Sequence, residues 1–135
     1  MVDERRAIWI DPATGLVWQT EPAGQMTWTA AMAHAQKLVL DGWTDWRVPA
    51  VIELESLLDR TRYRPVIRGQ VPFQDTRAYW SSTTFAENTQ NAWIVMFDGA
   101  YVLSYGKQND YWVRCVRGRL ISVGDVHEEI DSVHP

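Results

Sequence analysis

The pattern of apolar residues predicts a single α+β domain, and three observations lead there. Residues 28–40 and 50–59 carry apolar side chains at helical spacing. Residues 7–19 and 79–123 instead run in short β-branched and aromatic blocks separated by turn residues. The chain has 135 residues, 46% hydrophobic and 22% charged, which suits one globular domain rather than a disordered segment. Two helices set among antiparallel strands make the class α+β.

Taken in order, Ala7-Ile8-Trp9-Ile10 is apolar and β-branched, and Asp11-Pro12-Ala13-Thr14-Gly15 supplies turn chemistry. Leu16-Val17-Trp18-Gln19 resumes a strand, so the opening reads as a hairpin. After Glu21-Pro22-Ala23-Gly24, Thr27 is placed to cap a helix over 28–40. Its apolar positions are Trp28, Ala31, Met32, Ala35, Leu38 and Val39, and Asp41-Gly42 is expected to end it. A short aromatic link reaches Pro49 and a second helix over 50–59. There Ile52, Leu54, Leu57 and Leu58 are apolar, with Glu53 and Glu55 expected toward water. Pro65, Gly69 and Pro72 leave residues 60–78 irregular. Residues 79–84 then read as a strand and 87–91 as a polar loop. Strands 92–97 and 100–105 flank Asp98-Gly99, the strongest short hairpin signal in the chain. A last strand covers 112–116, continued over 120–123. One domain is expected over 1–123, followed by a polar, frayed tail over 124–135.

Composition excludes several function classes. Acidic residues outnumber basic ones, 17 to 13, for a net charge of −4. Nucleic acids and anionic membranes both need a basic face, so neither is an expected partner. No apolar run approaches the roughly 20 residues of a membrane span. Met1-Val2-Asp3-Glu4-Arg5-Arg6 lacks the apolar core of a signal peptide. A single cysteine, Cys115, excludes an intramolecular disulfide and a cysteine-based metal cluster. His34, His127 and His134 have no zinc-helix spacing, so no metal or cofactor is expected. Eight tryptophans must mostly be buried, with each indole N–H needing a partner.

Catalytic chemistry finds little support. Ser81 and Ser82 lie in a strand with neither a nucleophile elbow nor a histidine near in sequence. Cys115 reads as a small buried hydrophobe rather than a reactive thiol. Glu53 and Glu55, two apart on a helix, do not face one another as an acid and base would. The expectation is no enzyme.

Two groups remain as binding candidates. Arg60, Arg62, Arg64 and Arg68, interleaved with Tyr63, suit a sulfate, phosphate or carboxylate. Alternatively some of them pair with Asp59 and Asp75 and the rest are solvated. In the second group, strand alternation puts Trp93, Val95 and Phe97 on one face and Ile94, Met96 and Asp98 on the other. If the Trp93 face packs inward, Ile94, Met96 and Asp98 join Tyr101, Leu103, Tyr105, Gln108, Asn109, Asp110 and Tyr111 in a ligand-binding surface. Aromatic residues and Met interspersed with Asn, Ser and Asp are the vocabulary of such a surface. The alternative is a sheet buried on both faces, by the helices or by a homo-oligomer.

At this point a family is recognisable. Asp11-Pro12-Ala13-Thr14-Gly15-Leu16-Val17-Trp18-Gln19 is similar to D-x-x-T-G-L-x-W-Q. Gly42-Trp43-Thr44-Asp45-Trp46-Arg47-Val48-Pro49 is similar to G-[YW]-x-D-W-R-[LV]-P. Tyr79-Trp80-Ser81-Ser82-Thr83-Thr84 and Val113-Arg114-Cys115-Val116-Arg117-Gly118 complete the signature. Together these motifs resemble the bacterial family named for the C-terminal domain of the Legionella collagen-like adhesin. The resemblance implies a C-type-lectin-like fold, two helices packed on a twisted, mainly antiparallel sheet, acting as a binding module for a protein or glycan. It implies sulfated glycans as one ligand class. It also implies kinship with the variable proteins of diversity-generating retroelements, whose varying positions correspond to Ile94, Met96, Tyr101, Leu103, Tyr105 and 108–111. Two departures stand out. Where many members carry A-Y-C in the first helix, this chain has Ala33-His34-Ala35, so Cys115 lacks that partner and suits a reducing compartment. The expectation is therefore a cytoplasmic chain as written, with surface display through a partner or fusion left open. The E-P-N and W-N-D motifs of calcium-dependent sugar binding are also missing, and Asn109-Asp110-Tyr111 does not complete them.

Overall fold

The computed structural model of the chain describes residues 7–121. Strand β1 (Ile8–Ile10) pairs antiparallel with β2 (Val17–Gln19), the expected hairpin. Asp11 builds its turn. The carboxylate accepts from the Ala13 amide at 2.9 Å and the Thr14 hydroxyl at 3.0 Å, while Gly15 takes the positive φ of 81° that the chain reversal needs. A strand that the turn residues concealed follows, β3 (Gly24–Met26), formed because a distant strand supplies its partner.

Helix α1 (Trp28–Lys37) starts where expected, with the Thr27 hydroxyl accepting from the Ala30 amide at 3.3 Å. It ends earlier than expected. Asp41 and Gly42 do not stop the helix; at φ 54° and 81° they make a two-residue turn. Paired backbone bonds of 3.1 and 3.0 Å between Leu40 and Trp43 close it. Asp-Gly suits both roles, and here the hairpin turn wins.

Helix α2 (Val51–Glu55) is also shorter than expected. Leu57 instead accepts from the Arg68 amide at 2.9 Å and Leu58 bridges Ile67, so the irregular stretch takes the backbone groups of a longer helix. The start of α2 is capped from outside, the Val51 amide donating to the Thr83 hydroxyl at 3.0 Å. Glu53 corrects the expectation of a solvated glutamate. It is 6% exposed, receives both Arg47 terminal nitrogens at 2.7 Å and accepts from the Ala50 amide at 2.8 Å. A buried carboxylate is tolerated when it is paired and bonded in this way.

The remaining strands are β4 (Ala78–Thr84), β5 (Asn91–Met96), β6 (Tyr101–Gly106), β7 (Tyr111–Val113) and β8 (Val116–Arg117). They divide between a small sheet, β1-β2-β8, and a large one, β3-β7-β4-β5-β6. All pairings are antiparallel except β4 with β7. The strand expected over 112–116 breaks at Arg114-Cys115 because its halves serve different sheets. The β5–β6 hairpin forms, but its positive φ falls on Ala100 and the connection spans 97–100, not Asp98-Gly99 alone. Residues 120 and 121 lie in no strand. Residues 122–123 and the tail over 124–135 are outside the described residues.

The large sheet is covered on both sides. Trp80, Ala92 and Ile94 pack with Ala31 and Ala35 of α1. Tyr79, Val95 and Phe97 pack with Leu54 and Leu57 beside α2. Ile94 is 0% exposed, so the expectation that it faces outward is corrected: β5 is central and has a layer on each face. Among the tryptophans, Trp18, Trp46 and Trp80 are buried and the other five are partly covered. Trp28, Trp46 and Trp80 donate to the carbonyls of Ser81, Leu40 and Met26. The buried Trp18 indole N–H has no partner among the described residues, against the expectation of one for each. The architecture is α+β and consistent with a C-type-lectin-like fold, with two sheets where one was expected. No helix among the described residues is long and apolar enough to cross a membrane.

Candidate ligand-binding surface

Strand β6 alternates between the sheet's two sides and lies at its edge. Tyr101, Leu103 and Tyr105 pair with Met96, Ile94 and Ala92, so all six project to the α1 side. Over β5 that side is packed; over β6 it is open, leaving Tyr101 57%, Leu103 39% and Tyr105 39% exposed. Tyr111 of β7 continues the face inward. Its ring centroid lies 5.8 Å from that of Tyr105 and 5.1 Å, edge-on, from that of Trp80. Burial, with Tyr105 nearby, raises the Tyr111 hydroxyl above its ordinary pKa, so it is a neutral hydrogen-bond donor and acceptor at physiological pH. Gln108, Asn109 and Asp110 are exposed in the β6–β7 turn. The Asn109 side-chain amide is held on the Gly106 carbonyl at 3.1 Å.

The fold thus brings together Met96, Tyr101, Leu103, Tyr105 and Tyr111, with 108–110 at one end. It withdraws Ile94 into the core and ties Asp98 to Arg64 in an ion pair. Sequence reasoning passed over Trp28, which borders the turn. The Trp28 amide donates to the Lys107 carbonyl at 3.0 Å, and the Lys107 ammonium sits 4.0 Å from the indole centroid while donating to Thr84. A lysine just past an aromatic strand was the available signal.

The arginine group divides. Arg68 is committed to Asp11, the Ser56 carbonyl and Gln70, and Arg64 to Asp98. Asp59 is taken by Thr61, whose hydrogen bonds hold the carboxyl below its usual range. Asp75 belongs to Arg114 and Arg77. The proposed local pairs with Asp59 and Asp75 therefore do not form as ion pairs. Among the described residues Arg60 and Arg62 have no ion-pair partner within 4 Å, and Tyr63, which follows Arg62, is 83% exposed.

Residues 7–117 of the chain match the family model described as the Lcl C-terminal domain. The chain belongs to the Lcl C-terminal domain family. Membership suggests an adhesin-like module. No curated protein matches the chain.

Within this family member, the signature residues build the frame and not the open face. Asp45 grips Arg117 at 2.6 and 2.9 Å, and the Arg117 guanidinium lies 3.8 Å from the Trp43 ring centroid. That bond lowers the pKa of Asp45. Arg47 exchanges backbone bonds of 2.9 Å with Val116 and reaches the Gly118 carbonyl, tying the central link to β8. Arg114, 3% exposed, binds the carbonyls of Gln19 and Thr20, Asp75 and the Tyr79 hydroxyl, joining the two sheets. Ser81 is buried with its hydroxyl on the Trp93 carbonyl at 2.7 Å. Cys115 is buried, and desolvation pushes its thiol up to about 12. Among the described residues, no three His, Cys, Asp or Glu side chains are grouped to hold a metal.

Proposed function

We propose that the protein is a non-enzymatic ligand-binding module whose contact surface is the open face of β6 together with the 108–111 turn. One observation carries this reading: Tyr101, Leu103 and Tyr105 form an exposed aromatic and aliphatic stripe on a strand whose neighbour is locked in the core. Rigid aromatic groups beside adaptable Gln108, Asn109 and Asp110 favour binding at low entropic cost. The burial of Ser81 and Cys115 supports a role without chemistry. The ligand is a protein or glycan. In the diversified-scaffold version of this reading, Met96, Tyr101, Leu103, Tyr105 and 108–111 are the varying positions. A reverse transcriptase gene and a template repeat beside the gene are what that version requires.

Replacing Tyr101, Leu103 and Tyr105 together by alanine should abolish binding to an immobilised panel of neutral and sulfated glycans and host-surface proteins. The melting temperature should stay within about 5 °C, since exposed side chains contribute little to stability. Retained binding overturns the reading. A second reading rests on Arg60 and Arg62, which have no ion-pair partner among the described residues and precede exposed Tyr63: a sulfated glycan held by that loop. It predicts heparin binding that falls steeply with salt and is lost in Arg60→Ala/Arg62→Ala, with the β6 variant unaffected.

A further inference from the structure

A sheet edge invites a neighbour, because its outward N–H and C=O groups lack a ladder partner. Three of the edges are short or covered. Strands β1 and β3 have three residues each, and β8 has two and is bridged by Arg47. The fourth, β6, has six residues with no charge and no proline. It pairs with β5 without a bulge from Gly106 to Tyr101. Among the described residues nothing pairs with its outer side. Natural proteins usually guard an edge this long and even.

Ladder parity decides which groups face out. The Lys107 amide donates to the Gln90 carbonyl at 2.9 Å. The pairs in step with it, Tyr105 with Ala92, Leu103 with Ile94 and Tyr101 with Met96, hold the bonds to β5. Val102 and Ser104 therefore turn their backbone groups outward. The run Tyr101-Val102-Leu103-Ser104-Tyr105 is also nearly symmetric about Leu103. An antiparallel second copy centred there sets Val102 against Ser104 in both directions, outward groups meeting outward groups. Leu103 then faces Leu103, and Tyr101 faces Tyr105, as apolar cross-strand pairs. Farther out, Lys107 of each copy comes beside the 97–100 turn of the other, where Asp98 is already paired with Arg64, so no like charges are brought together. A twofold interface requires one patch complementary to itself, and this edge satisfies that condition.

We infer that β6 is a homodimer edge, two copies pairing antiparallel through residues 101–105 to join their large sheets. The occupant is a second copy of this chain. The side chains of Tyr101, Leu103 and Tyr105 stay on the open face, so the candidate surface is doubled rather than covered. The inference rests on backbone geometry and is independent of what that surface binds.

Light scattering after size exclusion of the intact chain, from micromolar to millimolar, should reach twice 15.6 kDa. Leu103→Lys and Leu103→Glu each set like charges face to face on the twofold axis, and each alone should return the mass to one chain. Mixing the two variants should restore the dimer, which a folding defect would not allow. Ser104→Pro removes an outward N–H without touching the bonds to β5, and should be monomeric with an unchanged circular dichroism spectrum. A mass that stays at one chain, a trimer, or a dimer indifferent to these substitutions overturns the inference. Ligand binding retained by the Tyr101, Leu103 and Tyr105 triple-alanine variant, with the unaltered chain dimeric, counts against the proposed function alone. Capture of a foreign peptide strand by a monomer would assign the edge to a different occupant and overturn the second-copy assignment.

Discussion

Strands β5 and β6 are neighbours of equal length, Asn91–Met96 and Tyr101–Gly106, and both are rich in apolar side chains. Their fates differ. Ile94 and Leu103 are cross-strand partners on one face, yet Ile94 is 0% exposed and Leu103 39%. The cause is the layer above them. α1 covers one face of β4 and β5 and α2 the other, and neither covers the outer face of β6. Burial here is set by what lies across from a residue and not by the residue's own character. The same contrast separates the ion pairs: Arg114 is sealed between sheets, while Arg64 and Asp98 pair at the surface.

This contrast can be tested at several depths. The largest effect is expected at Arg114→Met, which strips a buried donor from Asp75, the Tyr79 hydroxyl and two carbonyls. It should cost about 3 kcal/mol or more in denaturant unfolding. Arg64→Ala, at an exposed pair, should cost less than about 1 kcal/mol. Next, Ile94→Ala should cost about 2–5 kcal/mol, because it opens a cavity between packed layers. Leu103→Ala should cost less than about 1 kcal/mol. Equal costs would mean that the two strands are equally covered and would remove the candidate surface.

A gradual effect is expected in alkali. Burial raises Tyr79 from 10.0 to about 12 and Cys115 from 9.0 to about 12. A raised folded pKa means that the unfolded chain loses its protons first. Stability is then full below about pH 9 and declines as pH rises toward 12. Unfolding midpoints measured between pH 8 and pH 12 check the slope, and Cys115→Ala should make it shallower. Native Cys115 should resist iodoacetamide at neutral pH and react once the chain unfolds. Rapid native alkylation would show that the interior behind β7 and β8 is open.

Much of the frame was legible because its signals are local. Asp11, Thr14 and Gly15 specify a turn through bonds spanning a few residues, and Thr27 caps the helix that follows it. The signature around Trp43–Pro49 and Val113–Gly118 was legible as a family mark. Its mechanical role, Asp45 and Arg47 reaching to Arg117 and Gly118, was not, because those partners lie about seventy residues away. Of the candidate surface, the Tyr101, Leu103 and Tyr105 stripe was legible from strand alternation. Ile94 was misplaced by the same rule, since a strand buried on both faces alternates without exposing either side.

The sequence by itself determined where most helices and strands begin, which turns join them and the family to which the chain belongs. Those features depend on backbone preferences and hydrogen bonds between near neighbours. Only the tertiary structure decided that Asp41-Gly42 makes a hairpin turn, that Glu53 is buried against Arg47, that Arg114-Cys115 marks the passage between sheets, and that β6 has an open face and an edge with no partner among the described residues. Each of those outcomes depends on groups brought together from distant parts of the chain, where cover, pairing and desolvation are settled jointly.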